Sequence, residues 1–153
     1  TNPGAPLPDT NRFLDSPPRS RNDTLASLMR QLGICEERGS GWDKVVHETE
    51  FYQLPAPVAE RTDDHTRVVL FAHKPLSEMD KGDRIHAAYL HACLKWVMRD
   101  SLTNASLRGR LGVPEHNKAA VSRYIPEAVE ARMIKPYDQD AARNQMRYIP
   151  FWA

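Results

Sequence analysis

The chain has 153 residues, of which 41% are hydrophobic and 27% are charged, and its formal net charge is +1 at pH 7. This length allows one mid-sized domain or two small ones with a real hydrophobic core. No run of 18 apolar residues and no signal peptide occurs, which argues against a membrane-spanning or secreted protein. Cys35 and Cys93 are too far apart in sequence for a zinc motif or a disulfide framework, so we expect reduced thiols and a cytoplasmic location. Because the chain begins with Thr1 rather than Met, we also expect it to be part of a longer protein.

The first 20 residues predict an extended arm. Five of them are proline, which fixes its own backbone and disfavours the helical region for the residue before it, so no helix is expected before Arg19. From residue 22 onward, leucines and a methionine recur at three- and four-residue spacing, which predicts a helix. Asn22 or Asp23 can cap its start, and Gly33 can close its end.

A second helix and a β-hairpin follow. The helix is predicted to begin at Ser40 or Gly41 and to stop at the proline-rich segment that contains Pro55. Residues 58–61 and 67–72 have strand-like composition and are separated by a polar segment, so they predict two strands of a hairpin.

We place a domain boundary near residue 75 and predict domains at residues 1–75 and 76–153. The second domain opens with a long helix that Ser77 or Asp80 can cap. Its apolar face repeats at helical spacing: Ile85, Tyr89, Leu90, Cys93, Leu94 and Val97.

Two shorter helices and a second hairpin complete the chain. Residues 103–111 predict one helix, which Thr103 or Asn104 can cap, and Gly112 begins the turn after it. Residues 117–129 predict the next helix, which Pro126 is expected to kink or divide. Two alternating segments at residues 133–137 and 146–149 predict a hairpin. Three helices followed by a hairpin is the order of a winged helix-turn-helix domain.

The third helix of such a domain enters the major groove of DNA, and its sequence is consistent with that role. Residues 101–153 carry 8 Lys/Arg against 5 Asp/Glu, whereas residues 1–100 carry 13 against 15. Short polar and cationic side chains can contact base edges and phosphates. The candidate DNA-binding residues on these helices and on the hairpin are Asn117, Lys118, Ser122, Arg123, Arg108, Arg110, Arg143 and Arg147.

Three motifs in the first domain carry a family resemblance. They are Asn2-Pro3-Gly4, then Arg21-Asn22 followed by Leu25-Ala26, and then Glu37-Arg38-Gly39-Ser40-Gly41-Trp42. In this order they resemble the C-terminal region of RecG-related ATP-dependent DNA helicases over residues 1–57. The resemblance implies a parent protein with an upstream Schlafen/AlbA-type domain, an ATPase-like α/β region, a role in transcription regulation and, often, a winged helix at the end.

The same resemblance raises the question of ATP. No G-x-x-x-x-G-K-[ST] motif occurs, so we expect no cofactor in this chain and assign any ATP binding to the full-length parent. Gly39, Ser40 and Gly41 precede a helix and are a candidate anion site, although two glycines there more often form a tight turn between helices. The six histidines and the acidic pairs form no recognisable catalytic or metal-binding set.

The sequence therefore predicts an α+β chain, in which a small remnant of helices and a hairpin precedes a winged helix domain. The function it favours is non-catalytic binding of double-stranded DNA as part of a transcriptional regulator. A protein-interaction or homodimerisation module is the alternative, and a nucleotide-binding enzyme in the parent protein is a third interpretation.

Overall fold

A computed structural model describes residues 1–35, 39–142 and 144–153 and has an α+β fold. Its α-helices and strands, in chain order, are β1 (Asn2–Pro3), α1 (Asp23–Gln31), α2 (Gly41–Phe51), β2 (Val58–Arg61), β3 (His65–Val69), α3 (Lys81–Val97), α4 (Asn104–Arg110), α5 (Lys118–Glu130), β4 (Ile134–Pro136) and β5 (Tyr148–Pro150). The strands form two antiparallel sheets, with the order β1-β3-β2 in one and β4-β5 in the other.

The N-terminal arm differs from its prediction in one respect. A single 3-10 turn forms at Thr10–Arg12, although no helix was expected before Arg19. Residues 9–16 contain no proline, and the Asp9 side chain accepts a hydrogen bond from the backbone N–H of Asn11 at 2.9 Å. The proline effect is therefore local, and a capped turn fits between two proline-rich stretches.

The first hairpin is confirmed, with a shifted second strand. β2 pairs with β3 from Val58 opposite Val69 to Arg61 opposite Thr66, so the second strand begins at His65 and ends at Val69. The backbone N–H of Thr62 donates to the carbonyl of His65 at 2.9 Å, and this hydrogen bond closes the turn between the two strands. The loop is therefore shorter than the polar segment of the sequence.

Helix α1 begins and ends where the sequence predicts. The Asn22 side chain accepts a hydrogen bond from the N–H of Leu25 at 2.9 Å, and Gly33 has the positive φ of +69° that closes a helix. Its apolar face, however, is not buried, because Leu25, Leu28 and Leu32 remain 51%, 51% and 65% exposed. The apolar spacing thus predicts the helix correctly, but it does not predict whether its apolar face is buried.

The core is built around α3. Asp80 and Asp83 form a capping box at its start, and residues Ala87–Leu94 are buried. The Tyr89 hydroxyl donates to the backbone oxygen of Asn11 and accepts a hydrogen bond from Trp152 Nε1, the latter at 3.1 Å. Both ends of the chain therefore pack against this helix.

Helices α4 and α5 follow the predicted order. Thr103 caps α4, and Gly112 lies in the turn after it with φ +63°. Pro126 lies inside α5, so the expectation that it divides this helix is wrong. The carbonyl left without a partner at that point belongs to Ser122, and both residues lie on the exposed side, where water can satisfy it.

The C-terminal hairpin pairs Ile134 with Pro150 and Pro136 with Tyr148. On its other edge β5 contacts the segment between α3 and α4, because Leu102 and Tyr148 exchange two backbone hydrogen bonds of 2.9 Å. The hairpin is thus connected to the helices through their backbone as well as through side chains. Within the described ranges, no helix is long and apolar enough to cross a membrane.

Candidate nucleic-acid interface

Helix α5 separates its buried and exposed residues along two faces. Val121, Ile125 and Ala128 are buried against the core, at the spacing of one helix face. Three of the predicted DNA-binding residues, Lys118, Ser122 and Arg123, are exposed on this helix. Arg123 lies opposite the buried face, whereas Lys118 lies in the first turn, three residues before Val121. The N-terminal half of α5 therefore presents cationic and short polar side chains to solvent.

The two glutamates at the C-terminal end of α5 are directed toward α3. Glu127 Oε2 lies 3.7 Å from Arg84 Nη2, and Glu130 Oε2 lies 3.5 Å from Lys81 Nζ. Arg84 also stacks over the ring of Tyr124 at 4.9 Å. Negative charge on this helix is therefore concentrated at the α3 contact and is separated from the exposed N-terminal half.

The start of α5 holds the remaining predicted contact of this helix. Asn117 is exposed and immediately precedes Lys118. Ser122 Oγ accepts a hydrogen bond from Asn104 Nδ2 at 3.1 Å and donates to the backbone oxygen of Lys118 at 3.3 Å. Ser122 therefore joins α5 to the start of α4, and Asn104, which the sequence offered only as a possible helix cap, belongs to the same polar surface.

The two arginines predicted on α4 have different environments. Arg108 is half-buried and its Nη1 lies 3.6 Å from Glu115 Oε1, which is itself exposed. Arg110 is 5% exposed and points inward, so it does not lie on the surface that was predicted for it. The structure thus brings Arg108 close to the α5 surface and removes Arg110 from it.

Arg110 belongs instead to a buried polar cluster. Its Nη2 donates to the carbonyl of Leu54 at 2.7 Å, and its Nε lies 3.6 Å from Glu50 Oε1. Glu50 Oε2 in turn lies 2.9 Å from His91 Nδ1. Burial lowers the pKa of Arg110, and the charge of Glu50 opposes that shift. The cluster joins α2, α3 and α4, and therefore spans the predicted domain boundary.

A sequence signal for this burial exists. Arg110 is three residues after Leu107 and next to Leu111, and both leucines are buried. Residues three apart on a helix share a face, so the spacing places Arg110 at the edge of the apolar side of α4. Composition alone, which counts every arginine as a surface cation, misses this.

The hairpin contributes further exposed cations. Arg147 precedes β5 and is exposed, and Lys135 on β4 is exposed as well, although the sequence reasoning did not name Lys135. Arg143 lies outside the described residues. Exposed cations on the hairpin therefore lie at Lys135 and Arg147.

The candidate anion site lies at the start of α2. Gly39 has φ +69°, and a Cβ built on it would lie 3.2 Å from Pro18 Cδ, whereas a Cβ built on Gly41 would meet nothing within 4 Å. Ser40 is the N-cap residue and Gly41 the first residue of α2, so these residues precede a helix as expected, and anion binding there stays a prediction. Within the described segments, no group of three His, Cys, Asp or Glu side chains could hold a metal ion.

The chain is thus an α+β protein with an exposed polar and cationic helix beside a short hairpin. Comparison with known families found a match for the first part of the chain. Residues 1–70 match the family model described as "Putative ATP-dependent DNA helicase recG C-terminal". This match confirms the resemblance stated from the sequence and extends it from residue 57 to residue 70. No curated protein and no solved structure matches the chain.

Proposed function

We propose that residues 76–153 form a winged helix that binds double-stranded DNA, with the exposed face of α5 in the major groove. The observation that carries this proposal is the distribution of charge on α5. Lys118 and Arg123 are exposed near its start, while Glu127 and Glu130 pair with cations of α3. A helix with this distribution can approach a polyanion without bringing its own carboxylates to the contact.

The order of the elements supports the winged helix. After α3 comes the extended residue Leu102, then α4, α5 and the hairpin β4-β5, with Leu102 paired to Tyr148. A winged helix combines a helix-turn-helix with a small sheet of this kind, in which the second helix of the motif is the reading helix. Here α4 and α5 are the two helices, and Gly112 lies in the turn between them.

The proposed contacts fall into two classes. We assign Asn117, Ser122 and Arg123 to base edges, because side chains in the first turns of a reading helix reach the groove floor. We assign Lys118 on the helix and Arg147 on the hairpin to phosphates, contacts that fix orientation without reading sequence. Arg108 is a weaker phosphate candidate because Glu115 lies 3.6 Å from it.

The family that residues 1–70 match also supports an association with DNA. The description of this family names a DNA helicase, so we carry over association with DNA to this chain as part of the proposal. We further propose that the parent protein is a cytoplasmic, DNA-associated regulator and that this chain is its non-catalytic DNA-binding part.

Fluorescence anisotropy of a labelled random-sequence duplex tests the proposal at low and moderate salt. We expect measurable binding at about 50 mM salt that weakens steeply toward about 200 mM, because phosphate contacts release counterions. Lys118→Gln should lower the slope of log K against log salt by about 1. Arg61→Gln, which removes an exposed cation from β2, is the matched control and should leave the slope unchanged. Absence of binding at both salt concentrations by the folded protein would defeat the proposal.

A second candidate function is interaction with another protein or with a second copy of the chain. One specific observation favours it, namely that Leu25, Leu28 and Leu32 on α1 are more than half exposed. Contiguous exposed apolar residues mark interaction surfaces more often than isolated ones do. Sedimentation velocity separates the candidates, since a dimer that Leu28→Glu dissociates, without DNA binding, would favour interaction over DNA recognition.

A further inference from the structure

A groove with a volume of about 330 Å³ lies between the connecting segment 73–79 and the turn between α4 and α5. Gln53 borders it from the end of α2, and Asn117 and Ala120 border it from the start of α5. This groove, called here the linker groove, is within the size range of small-molecule pockets. Of the predicted DNA contacts, Asn117 and Arg110 line this groove, whereas Lys118, Ser122 and Arg123 do not.

The walls of the linker groove are mainly apolar. Leu76, Met79, Leu111 and Val113 line it, and each of them is buried or half-buried. Apolar walls of this kind can cover the hydrocarbon part of a ligand, because burying apolar surface is favourable and non-directional. The walls alone do not select a polar group.

The hydrogen-bond donors among the lining side chains determine which polar group of a ligand the groove can bind. His73, Lys74 and Arg110 line the linker groove, and none of the described residues that line it is Asp or Glu. The carboxylates that pair with two of these cations are not among the lining residues: Asp83 contacts Lys74 at 2.6 Å, and Glu50 lies 3.6 Å from Arg110. The cations of both pairs, and not their carboxylates, therefore line the groove.

Arg110 is the key donor. Its side chain is only 2% exposed, and of its nitrogens Nη2 alone has a hydrogen-bond acceptor among the described residues, the carbonyl of Leu54. Buried guanidinium N–H groups without an acceptor are costly, because water cannot replace the missing partner. An acceptor oxygen of a ligand in the groove would supply the missing partner.

We propose that the linker groove binds a small organic carboxylate with an apolar body. The carboxylate accepts hydrogen bonds from Arg110 at the groove wall, and the apolar body packs on Leu76 and Val113. Because Asn117 and Ala120 form one border, a bound ligand contacts the start of α5. Binding itself is independent of the proposed function, whereas any effect of the ligand on DNA contacts rests on it.

Titration of the ¹⁵N-labelled protein with benzoate and with benzamide tests the proposal by amide chemical shifts, in the absence of DNA. Benzamide has the same shape without the charge. We expect shifts confined to residues 73–79 and 110–120, with benzoate binding about tenfold more tightly than benzamide, because charge-assisted hydrogen bonds are the stronger ones. Equal affinity for the two probes, or shifts elsewhere in the chain, would overturn the proposal.

Two variants fill the groove from opposite sides, so that a failure of one to fold leaves the test intact. Ala120→Phe fills it from α5 and Leu76→Trp fills it from the connecting segment, and each should abolish the benzoate shifts. Lys81→Gln, which removes an exposed cation outside the groove, should bind benzoate as the unmodified protein does. Persistence of the shifts in a folded groove-filling variant would also overturn the proposal.

Discussion

Replacement of Arg110 by methionine should destabilise the protein strongly. The substitution removes the guanidinium that donates to the carbonyl of Leu54 at 2.7 Å and lies 3.6 Å from Glu50 Oε1. It leaves Glu50, whose side chain is 14% exposed, without its cation. The apolar stem of methionine preserves most of the packing volume, so the change isolates the polar contacts.

The magnitude follows from the geometry. Breaking a buried ion pair by removing one partner costs about 3–5 kcal/mol, since it leaves an uncompensated charge away from water. The separation of 3.6 Å between Arg110 and Glu50 exceeds hydrogen-bond length, which places the expected loss toward the lower end, at about 3 kcal/mol. A loss of this size still leaves a domain of ordinary stability partly or fully folded.

Urea unfolding followed by circular dichroism measures this loss. Arg108→Met is the matched control on the same helix, because its partner Glu115 is exposed, and it should cost at most about 1 kcal/mol. In a double-mutant cycle, Glu50→Gln combined with Arg110→Met should be less destabilising than the sum of the single changes. A loss below about 1 kcal/mol for Arg110→Met would refute the reasoning, since exposed ion pairs behave in that way.

Three further predictions concern the turn after α4, His86 and ATP hydrolysis. Gly112→Ala should lower the free energy of unfolding in urea by about 1–2 kcal/mol, because φ is +63° and a Cβ would lie 2.6 Å from Gln53 Oε1. The control, Gly109→Ala on α4, adds a Cβ in open space and should be neutral or stabilising. Burial lowers the pKa of His86, so the unfolded state takes up more protons and the free energy of unfolding should fall as pH drops below about 6.5. His86→Gln should flatten this decline between pH 7.5 and 5, and an unchanged slope would contradict the assignment. We also propose that the chain by itself does not hydrolyse ATP, and sustained release of phosphate above a blank without protein would contradict this.

The helices could be predicted because their signals are local. Asn22, Asp80 and Thr103 each cap a helix where the sequence expects one, and helical spacing identifies the buried face of α3. A cap and a periodic face depend on residues only a few positions apart, so one sequence contains them. The sequence did not decide whether Pro126 divides α5, because the helix continues past it through packing of Val121, Ile125 and Ala128 against the rest of the core.

The site was harder to predict because its parts depend on distant residues. Helical spacing places Arg110 at the edge of the apolar side of α4, but its partners Glu50 and Leu54 lie more than 50 positions away in the sequence. Likewise, the apolar face of α1 predicts a helix but not its exposure. Pairings across the chain are set by tertiary packing, which spacing within one helix does not reveal.

Trp152, whose Nε1 donates a hydrogen bond to the Tyr89 hydroxyl, is an intrinsic fluorescence probe. Trp152 also lies under the guanidinium of Arg12, at 4.8 Å from its ring centre, so its indole borders the N-terminal arm. Indole fluorescence depends on the polarity around the ring, and detachment of the arm would expose this one to water. With Trp42 and Trp96 replaced by phenylalanine, the remaining emission would follow release of the arm separately from unfolding of the helices, without any attached dye.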